Sequence, residues 1–300
     1  MFQPLRNESQ RYLAEYSKLN RPRVLVAFLL ILSSLGMGCA SENSDDPRPV
    51  VMVSVLPQKW IVDKLAEDFV QTHVMIPPGA SPASHEPTIA QRKALADAAF
   101  YVIVGHPRFP FERSWLSGLQ EEAPNLKLVD GSGDVPMLDS DPHLWVSPTY
   151  MLALANRVAF ELKKLAPERE SEIDENLKAL TEEIETTDQI IRTALAKHKG
   201  ASFLVYHAAW GYFASDYGLT QIPVERGAKQ PGPAGLASVI DTAKEKGIRI
   251  VLVQPQFPSQ AAETIAEQIS GEVVLIDPLA LDWGTNMRNV AKTFERVLKK

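Results

Sequence analysis

The sequence predicts an α/β protein: two lobes with mainly parallel sheets, joined by one long rigid helix. Three observations carry this. Short apolar runs alternate with helical patterns over residues 50–166, which implies βαβ units and a parallel sheet. A stretch from Glu168 to His198 then has neither glycine nor proline. After it the alternation resumes to the end of the chain.

In order, Val50 to Leu56 reads as a strand and Gln58 to Asp68 has helical spacing. His73 to Ile76 is a short strand closed by Pro77-Pro78-Gly79. Thr88 to Ala98 reads as helix, Phe100 to Val104 as strand, Phe111 to Glu121 as helix and Leu126 to Val129 as strand. An acidic, glycine-containing loop runs on to His143. Pro148 to Leu165 is helical, and Pro167 opens the next helix at a first-turn position. The apolar residues Ile173, Leu177, Leu180, Ile184, Ile191 and Leu195 make a helical stripe along it. Its span is on the order of 45 Å at about 1.5 Å per residue. Phe203 to Tyr206, Leu219 to Val224, Arg249 to Val253 and Glu272 to Ile276 are the later strands. Ala209 to Tyr217, Leu236 to Lys246, Ser259 to Ile269 and Asn286 to Leu298 are the later helices.

The start of the chain has the pattern of an export signal. Arg21 and Arg23 precede an apolar run from Val24 to Met37, too short for a comfortable membrane span. The run leads to Cys39, the only cysteine. A lone cysteine there is expected to be the lipid-modified residue of a lipoprotein; the alternative is an ordinary cleaved signal with an incidental cysteine. Residues 40–49, polar and acidic with two prolines, read as a flexible tether. The expected organisation is thus a signal over 1–39, a tether over 40–49, an N-terminal lobe over 50–166, a linker helix over 167–199 and a C-terminal lobe over 200–300. The location is periplasm or cell surface, the anchor the membrane's only contact, and the protein a monomer.

Beyond Cys39 there are 26 basic and 35 acidic residues, a formal net charge of −9. This argues against nucleic-acid binding and mildly favours a cationic ligand. With no cysteine left, the folded part has no disulfide and no thiolate metal ligand. Any exported metal site must use nitrogen and oxygen.

Four candidate ligands lie just beyond predicted strands, where open α/β sheets bind ligands. They are His85 in ASHEPT, His143 in DPHLWVSP, His207 in FLVYHAAWGYF and Asp277 in EVVLIDPLA. Imidazole nitrogens with one carboxylate suit zinc and its neighbours. No two lie within one helical turn of each other, so only the tertiary fold could make them converge.

The segments GASPASHEPT, ALADAAFYVIVG, FERSW, DPHLWVSP, YHAAWGYFASDYGL, VQPQF and IDPLA occur in the order seen in the metal-binding receptors of bacterial ABC importers. The chain resembles this ZnuA/TroA-like family over roughly residues 50 to 298. The resemblance implies two Rossmann-like α/β lobes joined by a rigid helix, with one divalent ion between them and a membrane permease as partner. It implies His143 and His207 as metal ligands and Asp277 as the carboxylate ligand. The chain departs from the family at the first ligand, where Ala83 occupies the usual histidine position. Residues two apart in an extended loop point to the same side, so His85 is the expected substitute. A three-ligand site completed by water and recruitment of His106 from GHPRF are the alternatives.

Glu225 aligns with a family glutamate, either as an outer partner of the ligands or as a competing ligand. Gln254 in VQPQF is expected to face the cleft as a supporting polar group, and Trp145 and Trp210 to wall it. His73 and His198 read as structural, and Asp277 could simply begin a turn before Pro278. Nitrogen-rich ligation favours Zn2+ over Mn2+; Glu225 replacing His207 would shift the balance to manganese or iron. Neutral imidazoles are needed for capture, so binding is expected to weaken below about pH 6.5. Two other classes fit less well. A secreted zinc hydrolase would need an open coordination position and a general base, but HExxH is absent and only Glu86 stands beside His85. A metal-stabilised adhesin remains as the third reading.

Overall fold

The structure, a computed structural model, describes residues 46–300 apart from 139, 226–228, 258–259 and 299–300. The signal segment with Cys39, and residues 40–45 of the tether, therefore lie outside the described residues.

Eight strands and nine α-helices follow the predicted alternation among the described residues: β1 Val50–Val53, α1 Leu56–Ala66, β2 Gln71–Val74, α2 Ile89–Ala96, β3 Ala98–Ile103, α3 Pro110–Glu122, β4 Leu128–Asp130, α4 Pro148–Leu165, α5 Glu170–Leu195, β5 Ser202–Val205, α6 Gly211–Tyr217, β6 Thr220–Pro223, α7 Pro233–Glu245, β7 Ile250–Val253, α8 Gln260–Gln268, β8 Glu272–Leu275 and α9 Trp283–Leu298. The strands form two four-stranded sheets, ordered β2-β1-β3-β4 and β6-β5-β7-β8. Every pairing is parallel. That is why the central runs VVMV and IVLV are almost wholly apolar: helices cover both faces of a parallel sheet.

Each sheet reverses its strand order once, between β1 and β3 and between β5 and β7. At such switch points neighbouring connections leave in opposite directions, and a crevice opens beyond the carboxyl ends. His207 follows β5, Glu225 β6, Gln254 β7 and Asp277 β8, so the C-terminal sheet brings all four to one edge.

Of the boundaries that differ from the sequence reading, two have a local cause. Leu56 belongs to α1, not to the first strand, because Pro57 in the first turn fixes a helical φ and needs no hydrogen-bond acceptor. The helix read from Ala209 begins at Gly211, after the chain has bent sharply at His207 to Ala209.

The long helix joins the sheets. α5 is flanked by 3-10 turns at Pro167–Arg169 and Ala196–His198. It buries Ile173, Leu180, Ile184, Thr187, Ile191 and Leu195, spaced to stay on one face. That face packs on α1 and α4 of the first half and on α9 and α6 of the second. One hydrophobic core runs continuously through both halves, from Val51 and Trp145 to Phe203, Trp210 and Phe294. Trp283 on α9 packs against Trp60 on α1, ring centroids 5.5 Å apart and the rings tilted by 39°.

Candidate metal site

A cleft of about 620 Å³ opens at the carboxyl ends of the two sheets. His143 and His207 both line it, one from each half. His143 is the residue before a 3-10 turn, Leu144–Val146, that leads into α4. His207 ends the extension of β5. Their ring centroids are 5.3 Å apart and the rings are nearly perpendicular, at 83°.

Each ring is held from behind by a carboxylate. His143 Nδ1–H donates to Asp141 Oδ1 at 2.6 Å, and the His143 backbone N–H donates to the same oxygen at 3.0 Å. Asp141 Oδ2 accepts from Gly211 N, on the other half, at 2.9 Å. Burial pushes the Asp141 carboxyl up, but the His143 ring and these amide donors outweigh it and hold the carboxyl below its ordinary range. A Cβ at position 211 would collide with Asp141 Oδ2, so glycine is needed for this approach.

His207 Nδ1–H donates to Glu225 Oε2 at 2.8 Å. Its backbone is clamped by the fully buried Gln254, whose Nε2 donates to His207 O at 2.7 Å and whose Oε1 accepts from His207 N at 3.3 Å. Its ring stacks on Phe257 at 4.6 Å. An ionised carboxylate only accepts hydrogen bonds, so each imidazole must carry its proton on Nδ1. That leaves the Nε2 lone pair of each for a ligand, the arrangement that carboxylates impose on metal-binding histidines.

The other candidates do not line the cleft themselves and make their own hydrogen bonds. His85 lies outside the cleft lining, whereas Ala83 is part of it. His85 Nε2 meets Gln91 Oε1 at 3.3 Å, and its ring faces Phe111 at 6.1 Å. Gln91 is itself fixed: it makes a capping box with Thr88 at the start of α2, and its amide donates to Val74 O and Met75 O. Asp277 Oδ1 accepts from Leu279 N at 2.9 Å, the local turn before Pro278, and from Gln256 Nε2 at 3.2 Å. His106 uses both nitrogens, Nε2–H donating to Leu138 O and Nδ1 accepting from Arg108 N. Burial lowers its pKa, consistent with a neutral ring. Among the described residues no three His, Cys, Asp or Glu side chains stand together in a way that could hold a metal ion. The structure thus sets His143, His207, Glu225 and Gln254 in the cleft wall, whereas His85, Asp277 and His106 are not among the residues that line it.

Trp145 lines the cleft and is anchored across it: its Nε1 donates to Pro278 O at 2.7 Å, while Trp283 Nε1 donates to Trp145 O at 2.7 Å. Trp210 is buried against Phe213 and does not line the cleft. Asp141 was missed by sequence reasoning, although a carboxylate two residues before a histidine is the spacing of an Asx turn.

The chain matches the family model described as "ZnuA: Zinc-uptake complex component A periplasmic" over residues 51–297. The chain belongs to the ZnuA family. The high-affinity zinc uptake system protein ZnuA of Bacillus subtilis (strain 168) is 21% identical over 281 residues, covering 85% of this chain and 87% of that protein. A crystal structure of ZnuA superposes with a TM-score of 0.79 at 35% identity, covering 84% of this chain and 99% of that one. A zinc-bound ZnuA deletion mutant gives 0.77 at 34%, covering 83% and 98%. Members of this family are solute-binding receptors of zinc import.

Proposed function

We propose that this protein is an extracytoplasmic receptor that captures zinc in the cleft between its halves and delivers it to the permease of an ABC importer. In this reading residues 50–166 and 200–300 are the two lobes and 167–199 the linker. The protein works as a monomer tethered through Cys39. His143 and His207 are the ion's nitrogen ligands, with Asp141 and Glu225 orienting them.

The pairing of the two rings supports this best. Two imidazoles sharing one tetrahedral ion at about 2.0–2.1 Å have ring centres roughly 5.2 Å apart by simple trigonometry. The observed 5.3 Å is close to that separation. Carboxylates on both Nδ1 atoms fix the tautomer that such a pair requires. An all-nitrogen pair also favours zinc over manganese.

The lobes are cross-tied near the cleft, by Asp141 with Gly211, Ser147 with Asp216, and Leu138 N with Tyr212 Oη. With a shared core beneath, capture and release then involve small adjustments about α5.

Calorimetric zinc titration of the chain from residue 40 onward, beside His143→Ala and His207→Ala, tests the reading. Each substitution is expected to weaken zinc binding by at least a hundredfold with the fold retained. Wild-type affinity in either variant overturns the ligand pair, and tighter binding of manganese than zinc overturns the choice of metal.

A further inference from the structure

The cleft carries more than the histidine pair. Arg108 and Arg113 also line it, Arg113 from the first turn of α3. Both are exposed, and no carboxylate pairs with either among the described residues. The cleft's own carboxylate, Glu225, is committed to His207.

Two unpaired guanidinium groups beside a cation site are unfavourable for a bare cation, since like charges repel. They are favourable if the ion arrives with an anion. Two imidazoles fill only two of the four positions of a tetrahedral ion, and no third ligating side chain joins them among the described residues. The volume points the same way. About 620 Å³ is far more than an ion and two waters need at roughly 30 Å³ per water, and it falls within the size range of small-molecule sites.

We propose that the cleft takes its ion as a complex with a small carboxylate chelator, whose oxygens complete the coordination of the ion while Arg108 and Arg113 grip its remaining carboxylates. The proposal rests on His143 and His207 holding the ion. Carboxylate oxygen is a good third and fourth ligand for zinc. The planar guanidinium fork matches a carboxylate bidentately, which an ammonium does not. The ion lies between the nitrogen pair and the anion, and the anion between the ion and the arginines.

Equilibrium dialysis with radiolabelled citrate as the probe tests this, on the chain from residue 40 onward, with and without equimolar zinc. Wild-type protein is expected to retain citrate only when zinc is present, near one per chain. The Arg108→Ala/Arg113→Ala double variant is expected to lose at least tenfold in zinc-dependent citrate affinity. In citrate-free buffer it should bind zinc at least as tightly as wild type, because two positive charges near the ion are gone. Zinc bound without citrate retention overturns the proposal but leaves the receptor reading standing; citrate retention that ignores both arginines overturns it too. Labelled phosphate retained in place of citrate overturns the carboxylate assignment. No zinc binding with or without citrate overturns the receptor reading, and the proposal with it.

Discussion

One carboxylate, Asp141, joins the two halves of the protein at the cleft: Oδ1 receives the His143 ring N–H at 2.6 Å, and Oδ2 receives the Gly211 amide from the other half at 2.9 Å. Ring orientation and lobe contact are therefore set by the same side chain. Asp141→Asn keeps the shape but puts an NH2 group against one of these donors. Zinc affinity is expected to fall about 10–100-fold, as for other orienting partners of metal histidines. Gly211→Ala should have a similar effect by steric displacement of the carboxylate. Zinc titrations of both variants check this, and unchanged affinity in Asp141→Asn would mean the ring needs no such partner.

Glu225 plays the matching part on the other side. Glu225→Gln is expected to lower zinc affinity about 10–100-fold. If Glu225 is instead a ligand itself, the same change should shift preference away from manganese more than it weakens zinc. Parallel titrations with the two metals separate these outcomes.

Ala83 and His85 make a contrasting pair, since the alanine lines the cleft and the histidine does not. His85→Ala is expected to leave zinc affinity within about threefold, and to cost only about 0.5–1.5 kcal/mol of stability through the lost bond to Gln91. Ala83→His places an imidazole in the cleft wall and should tighten zinc binding. A large loss of zinc affinity in His85→Ala would show that the loop rearranges to bring that ring in.

Glu112 gives the apo protein a pH dependence. It is buried near the carboxyl ends of β1 and β3, where it accepts from Ser54 Oγ and from the N–H groups of Val104 and Gly105. Burial pushes its pKa up to about 7, against the pull of these donors. The folded state therefore holds the proton more tightly than the unfolded chain. The resulting stability is full below the unfolded value of about 4.5 and is lost as pH rises through 7, by about 3 kcal/mol at complete ionisation. Glu112→Gln should be less stable at pH 5, because Gly105 N–H loses its acceptor, but should lack this decline. Thermal unfolding of both proteins between pH 5 and 8.5 reads the difference, and parallel curves would show that Glu112 does not titrate there.

Trp145→Phe keeps most of the buried ring but removes the N–H that reaches Pro278 O across the cleft. The cost is expected to be about 1–3 kcal/mol from the unpaired carbonyl, with faster zinc release as the wall loosens. Denaturant unfolding and stopped-flow chelation measure the two effects.

Much of the fold could be read locally. A run such as IVLV is apolar because both faces of its strand are covered, and the stripe from Ile173 to Leu195 repeats because α5 turns at 3.6 residues. Those signals depend on neighbours a few residues away. The place of His207 just beyond β5 was legible for the same reason, since a strand's end is a local property; His143 instead lies thirteen residues beyond β4, at the 3-10 turn before α4, and was legible only through its motif. One boundary moved because a single residue changed the local rule, as Pro57 does at the start of α1, while α7 and α9 each begin three residues before the residue read from the sequence, at Pro233 and Trp283.

The sequence by itself determined the α/β class, the two sheets about one long helix and the histidines that stand at the cleft. The tertiary structure alone decided which side chains turn into it. His85 meets Gln91 and Phe111, Asp277 bonds to Leu279 and Gln256 in the cleft wall, and Asp141 is recruited by a glycine seventy residues away. A loop side chain's direction is set by which distant donor, acceptor or ring meets it first, and the periodicity of its own segment carries no record of that partner.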